Sequence, residues 1–360
     1  MDNQRSEGEG VGEQGRRLAE TARQALHAGG APGCAVAVSV DGHLVLDASF
    51  GSADLADTAP LAEDARSYIY SATKTLLATA TLQLVQQGQL ALDTAVQTYL
   101  PTLPLATPVT VRQLLSHTGG IPDYGGMPDY FDALRAAPTQ PWTSDEFLTR
   151  TLARGLAFPP GQGWAYSNIG HLLIRRMIEQ ISGLSLRAAL QRSLFTPLGL
   201  RRTFVAETLA DASVLTPGYS AFFSTDGELV DIHTLYHPGW VSHGVVIATA
   251  GELARLFDAL FAGVLLPEKL LAAMLAPTLV PHPHFWFRQP SYGLGLMMDG
   301  QSHYGVSAGH GGGGPGYSVG ALHCTDAGGH GVTAVALVNQ DASDLGMRIA
   351  CALVDTLAST

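Results

Sequence analysis

Lysine is almost missing from this chain. Only Lys74 and Lys269 occur in 360 residues, and arginine fills every other basic position except the histidines. Asparagine occurs three times and cysteine three times. Three widely spread cysteines (Cys34, Cys324, Cys351) exclude a disulfide framework. They read as free thiols of a reducing compartment, in the core rather than on a metal. Charged residues make up 14% of the chain and the net charge is −11. An acidic chain without a basic stripe is not built for nucleic acid or for anionic membranes. No apolar run reaches the ~18 residues of a membrane span. The opening, "MDNQRSEGEGVGEQGRR", has no apolar core of the kind a secretory signal needs, so a cytoplasmic location is expected.

What remains is 46% hydrophobic, with 41 glycines and 20 prolines. That composition suits a loop-rich enzyme of one large domain or two interlocked ones. Residues 1–15 read as a disordered tail. Leu18 to His27 has helical spacing, and "GGAPG" stops it. "CAVAVSV" and "HLVLDASF" flank Asp41-Gly42, a hairpin signal. From Ser71 to about Val264 the periodicity is mainly helical. "YSVGALHC" and "GVTAVALVN" read as strands, and "SDLGMRIACALVDTLA" as an amphipathic helix. The expected division is an α/β unit from residues 16–67 and 245–360, with a mainly helical unit, 68–244, inserted between its halves.

"GHGGGGPGYSVG", Gly309 to Gly320, offers three chemical readings. A nucleophile elbow at Ser318 would need a helix after the serine. "VGALHCTD" alternates like a strand instead, and only 42 of 360 residues remain for the partners. A lipase oxyanion loop belongs well upstream of its elbow. A phosphate loop needs a lysine that this stretch lacks. A glycine-rich turn beside a strand fits better, but it leaves His310 unexplained.

Two other stretches carry the chemistry. In "YSATKTLLATATLQLVQQG", Ser71 and Lys74 lie three apart at the start of a helix, on one face. A lysine whose pKa is lowered by burial can take the serine's proton, and arginine cannot. In "PPGQGWAYSNIGHLLIRRMIEQ", Tyr166 and Asn168 sit in a loop before an apolar helix. A phenol can shuttle protons, and an amide two residues on can hold the lysine and a substrate carbonyl. Read alone, each stretch also fits an ordinary helix start or a helix cap.

The order Ser-x-x-Lys, Tyr-x-Asn and then His-x-Gly at His310 to Gly312 resembles the serine hydrolases of the class C β-lactamase and D-alanyl-D-alanine carboxypeptidase family. "GQLALDTAVQTYLP", "VTVRQLLSHTGGIPDY", "SLFTPLGL" and "YGLGL" extend the resemblance over nearly the whole chain. It implies an α/β (α+β) β-lactamase-like fold: a mixed, mainly antiparallel sheet flanked by helices, plus an all-helical domain, with the site between them. It implies Ser71 as nucleophile, and Lys74 and Tyr166 as the acid–base pair. Asn168 would orient the lysine and the substrate amide. His310 would stand where the commoner third motif has lysine, with Gly312 beside it. The backbone N–H groups of Ser71 and Gly313 would form the oxyanion hole.

The chain departs from carboxypeptidase members at two points. Gly311 stands where they carry a hydroxyl residue, and Met297 and Met298 follow "GLGL" where an arginine is expected. A free substrate carboxylate would be poorly held, unless Arg288 of the loop "PHPHFWFRQP" reaches it. That loop's aromatics could line an acyl pocket. His117, His237 and His243 are read as structural, and no metal or cofactor is implied. The expectation is a serine hydrolase acting through an acyl-enzyme on a small-molecule or peptide amide or ester, of D-amino-acid amidase, peptidase or esterase type. The alternatives are a β-lactamase or D-alanyl-D-alanine carboxypeptidase and, in another class, a silent binding protein on the same fold.

Overall fold

Asp41 and Gly42 turn the chain as their residue types predict. Their φ angles are 49° and 79°, and a type I′ hairpin needs both positive. They join β1 (Gly33–Val40) to β2 (His43–Gly51) in antiparallel pairing. The computed structural model describes residues 12–359. Much of the tail expected over residues 1–15 therefore lies outside the described residues. From Glu13 the chain is already helical, in α1 (Glu13–Gly29). Gly30 ends α1 at φ 67°, its N–H returning to the carbonyls of Leu26 and His27, as a left-handed glycine cap does.

The far end of the chain supplies the rest of the sheet: β3 (Thr278–Leu279), β4 (Pro290–Tyr292), β5 (Met297–Asp299), β6 (Ser307–Gly314), β7 (Tyr317–Ala327) and β8 (His330–Val338). The order across the sheet is β2-β1-β8-β7-β6-β5-β4-β3, antiparallel throughout. A parallel bridge joins Tyr219 to Gln340 outside it. The first and last segments thus pair, β1 against β8.

Side chains of successive strand residues point to opposite faces, and here both faces are covered. Cys34, Val36 and Val38 share a core with α1 and α5 (Leu345–Ala358). Ala35 and Ala37 face a second core that includes α4 (Ala250–Phe261). This explains why "CAVAVSV" is a continuous apolar run rather than an alternating one.

The middle of the chain packs around α2 (Thr73–Gln86), which is buried from Thr73 to Leu82. A helix buried on all sides is a core helix. Two of its threonines are satisfied locally: Thr79 and Thr81 donate to the carbonyls four residues back, at 2.8 and 2.7 Å. Beside α2 lies α3 (Asn168–Ser182). A small sheet of Ser67–Tyr68, Val245–Ala248 and Phe204–Ala206 was not legible from periodicity, since each strand is four residues or fewer. It fixes the chain two residues before Tyr70. Among the described residues, no helix is long and apolar enough to cross a membrane.

Candidate active site

Ser71 sits in a single tight turn, Tyr70–Ala72, that runs into α2. Tyr70 takes a φ of 41°, a conformation that costs a non-glycine residue and persists only where its surroundings hold it. They do so here: the Tyr70 ring is buried, and its hydroxyl donates to the Pro315 carbonyl. Ile69 N–H bonds Val246 O at 2.9 Å.

The turn lies directly against β6, and that contact explains Gly312 and Gly314. A Cβ on Gly312 would fall 2.4 Å from Ile69 O and 3.3 Å from Ser71 N. One on Gly314 would fall 2.5 Å from the Tyr70 ring. Side chains there would push the serine away from the strand. At Gly311 the nearest atoms would be 3.7 Å away, ordinary contact.

One helical turn below Ser71, Lys74 is completely buried. Its Nζ lies 3.0 Å from Ser71 Oγ, 2.8 Å from Asn168 Oδ1 and 3.3 Å from His243 Nε2. Burial lowers its pKa to about 7, opposed by the nearby Asp123 carboxylate. Asn168 is held by that same carboxylate. Its backbone N–H reaches Asp123 Oδ1 at 2.8 Å, and its Nδ2 donates to Oδ2 at 3.1 Å. The amide is thereby oriented with its oxygen toward the lysine.

Tyr166 brings its ring to 4.8 Å from Lys74 Nζ. Burial pushes its phenol well above the ordinary value, and a hydrogen bond with the Ser71 side chain opposes that rise. The ring packs on His117, centroids 4.3 Å apart. His117 Nδ1 accepts the Ser167 N–H at 3.1 Å, pinning the loop. His310 faces Tyr292, whose hydroxyl lies 2.9 Å from Nε2. Its Nδ1 contacts the Gly311 carbonyl. A carbonyl only accepts, so Nδ1 carries the proton and Nε2 accepts from Tyr292. Burial lowers the His310 pKa to about 3, with the Lys74 charge adding to the effect. The ring is neutral, with both nitrogens engaged inside the protein.

The residues singled out from sequence therefore converge. Ser71, Tyr166, Asn168, His310, Gly312 and Gly313 line one cavity of about 980 Å³, with Lys74 beneath Ser71. Aromatic side chains are prominent in its lining, among them Tyr130, Phe131, Trp164, Phe222 and Trp240. Met297 lines it, as do Asp341 and Asp344, but no lysine or arginine is among the described lining residues. Arg288 is not one of them; its guanidinium lies near His303 on the surface. From the loop "PHPHFWFRQP", His282, His284 and Phe287 reach the lining. Ser318 is buried in β7, where its Oγ accepts the Gly346 N–H at 3.1 Å. It also borders the cavity, but its Oγ is committed to capping the start of α5.

A family profile described as "Beta-lactamase" matches residues 18–354. The chain belongs to the beta-lactamase family. Within it, Penicillin-binding protein 4* of Bacillus subtilis is 26% identical over 314 residues, 83% of this chain and 66% of its own length. Esterase EstB of Burkholderia gladioli is 31% identical over 199 residues, 51% of this chain and 50% of its own. The chain thus spans between half and two thirds of these curated relatives. A solved D-stereospecific amidohydrolase from Streptomyces sp. superimposes with a TM-score of 0.79 at 28% identity, covering 94% of this chain and 98% of that one.

Two residues of this beta-lactamase-family site are not marked in the sequence. Asp123 lies within a segment that only links the motifs. His243, expected to be structural, touches the lysine through its Nε2. Neither sits in a local pattern. Among the described residues, no group of histidine, cysteine and acidic side chains is arranged to hold a metal ion.

Proposed function

We propose that this protein is a serine hydrolase that forms an acyl-enzyme on Ser71 and cleaves amides or esters whose reacting end carries no free carboxylate. The observation that carries the reading is the completely buried Lys74, 3.0 Å from Ser71 Oγ, with its pKa lowered to about 7. A buried ammonium is costly, and that cost is accepted where a neutral amine has a task.

In the proposed cycle, neutral Lys74 takes the Ser71 proton as Oγ attacks the substrate carbonyl. The backbone N–H groups of Ser71 and Gly313 face the developing oxyanion, where one such donor is worth about 10²–10³ in kcat. Tyr166, kept protonated by burial, gives its proton to the leaving group, and the proton on Lys74 replaces it. Water then hydrolyses the ester by the same groups in reverse. Asn168 keeps the amine aligned.

The lining of the cavity favours neutral or cationic substrates, because its charged members are Asp341 and Asp344. The similarity to a D-stereospecific amidohydrolase supports a D-amino-acid amide as substrate. The match to Esterase EstB supports ester cleavage by the same site. Three buried, unpaired thiols support a cytoplasmic setting.

The test is intact-mass spectrometry after a fluorophosphonate, with a matched p-nitrophenyl ester followed in the first turnover. One adduct on Ser71 and a burst equal to the enzyme concentration are expected. An adduct elsewhere, or no burst and no turnover on any amide or ester, contradicts the reading.

A further inference from the structure

The cycle above leaves His243 without a task, although its ring is buried against the lysine. Position 243 comes from the segment that leads into the small sheet, 169 residues from Lys74 in sequence. The geometry limits what Lys74 can do with its three neighbours. A neutral amine has two N–H bonds and one lone pair. Asn168 Oδ1 can only accept, since the other end of that amide donates to Asp123. If His243 carried its proton on Nε2, it would compete with Ser71 for the lone pair. It would also face an N–H of the ammonium form at 3.3 Å. Only the tautomer with the proton on Nδ1 suits both states of a lysine that must gain and lose a proton. His243 Nδ1 has no hydrogen-bond partner among the described protein atoms, so no other group fixes the opposite tautomer.

We propose that His243 is a positioning residue: its Nε2 accepts from Lys74 and, together with Asn168 Oδ1, commits both amine hydrogens so that the lone pair points at Ser71. The inference rests on Lys74 being the base. The other groups around the amine come from every packed element. They are Asp123 and Tyr166 on loops, His171 on α3, His117 after the short helix Val111–Leu115, and His310 on β6. The three histidines besides His243 are buried, and burial disfavours the charged form of each. Burial first, and then the charges of Lys74 and of Arg175 on α3, disfavour a charged His243 as well, so it is the ring that touches the amine within a block of neutral imidazoles.

Two variants separate position from bulk. His243→Gln puts an amide oxygen about where Nε2 stands; His243→Asn ends near Nδ1 and cannot reach the lysine. With a p-nitrophenyl ester, the first-turnover acylation rate of His243→Asn is expected to fall by roughly tenfold to a hundredfold, the scale of one hydrogen bond to a charged group. KM should stay within about threefold on the same reasoning, since the ring touches no substrate-facing atom. The acidic limb of its pH profile should move to lower pH, because an ammonium with one acceptor fewer gives up its proton more readily. His243→Gln should keep both the rate and the limb. Wild-type behaviour of both variants overturns the inference. So does an equal loss in both with an unmoved acidic limb, which is what a space-filling ring would give. If His243→Asn does not fold, His243→Gln decides alone: a retained rate and limb support the proposal, and a lost rate overturns it. Lys74→Arg, run alongside, keeps the questions apart. If it remains active, the assignment of the base fails, whatever His243 does.

Discussion

This protein has two kinds of interior. Around the sheet, β1, β7 and β8 bury apolar side chains on both faces, against α1 and α5 on one side and α4 on the other. Where α2, α3 and β6 meet, the interior instead holds a lysine, an asparagine and four histidines, with Asp123 beside them. The first kind stabilises by removing apolar surface from water, at about 25 cal/mol per Å². The second lowers stability. Lys74 titrates near 7 when folded and at the ordinary lysine value when unfolded. Folding therefore releases a proton between those values, and the unfolded chain binds more protons there. Stability rises with pH across that window, and the full penalty is present below it. Polar groups buried at such cost are where function is to be sought.

The largest predicted effect separates the two interiors at one residue. Lys74→Arg keeps the charge but cannot act as a base, and kcat should fall by at least about 10³ while the fold, followed by circular dichroism, survives. Near wild-type turnover would remove the distinction. The next effect compares neighbours on β6. Gly312→Ala forces the turn carrying Ser71 away from the strand, and displacements of that kind cost about 10² in rate. Gly311→Ala meets only ordinary contacts and should stay within a few-fold of wild type, as esterase assays of the pair would show.

A smaller effect lies in the substrate. With no cation among the described lining residues, a matched amide or ester should exceed the free-acid dipeptide in kcat/KM by about one to two decades. That is the worth of a charged hydrogen bond. Gly311→Thr with Met297→Arg should narrow the gap; equal rates with the two substrates in the wild-type protein would mean that another group holds the carboxylate. The smallest effect belongs to the apolar interior. Ser318→Ala removes the acceptor at the start of α5 and should cost about 1 kcal/mol in chemical denaturation, leaving fluorophosphonate labelling unchanged.

These contrasts also show what could be read from sequence. Asp41-Gly42, the strands β1, β2, β7 and β8, and α5 follow from turn chemistry and periodicity, which are local; β3, β4 and β5, of three residues or fewer, do not. Ser71 with Lys74 and Tyr166 with Asn168 are short-range spacings on helix starts, so they too were legible. Gly312 and Gly314 of the "HGGGG" run owe their residue type to Ile69 and Tyr70, packed against them from elsewhere in the chain, since a glycine's reason is the neighbour it admits. Asp123 and His243 act across 45 and 169 residues of sequence on Asn168 and Lys74. No pattern of residue types near either position announces that contact. Met297 and Gly311 were legible as absences, and the described lining of the cavity carries aspartates but no lysine or arginine.

The proposed acyl transfer needs Lys74 as a neutral amine near neutral pH. The scarcity of lysine makes its charge directly measurable. Protein labelled with ¹³C and ¹⁵N in lysine alone should give two side-chain signals, one from Lys74 and one from the exposed Lys269. A Lys269→Arg variant assigns them. The Lys74 signal is expected to titrate with a midpoint near 7. Fluorophosphonate labelling of Ser71 should rise with pH through the same midpoint. A Lys74 midpoint near the ordinary lysine value of about 10.4 would contradict Lys74 as the base.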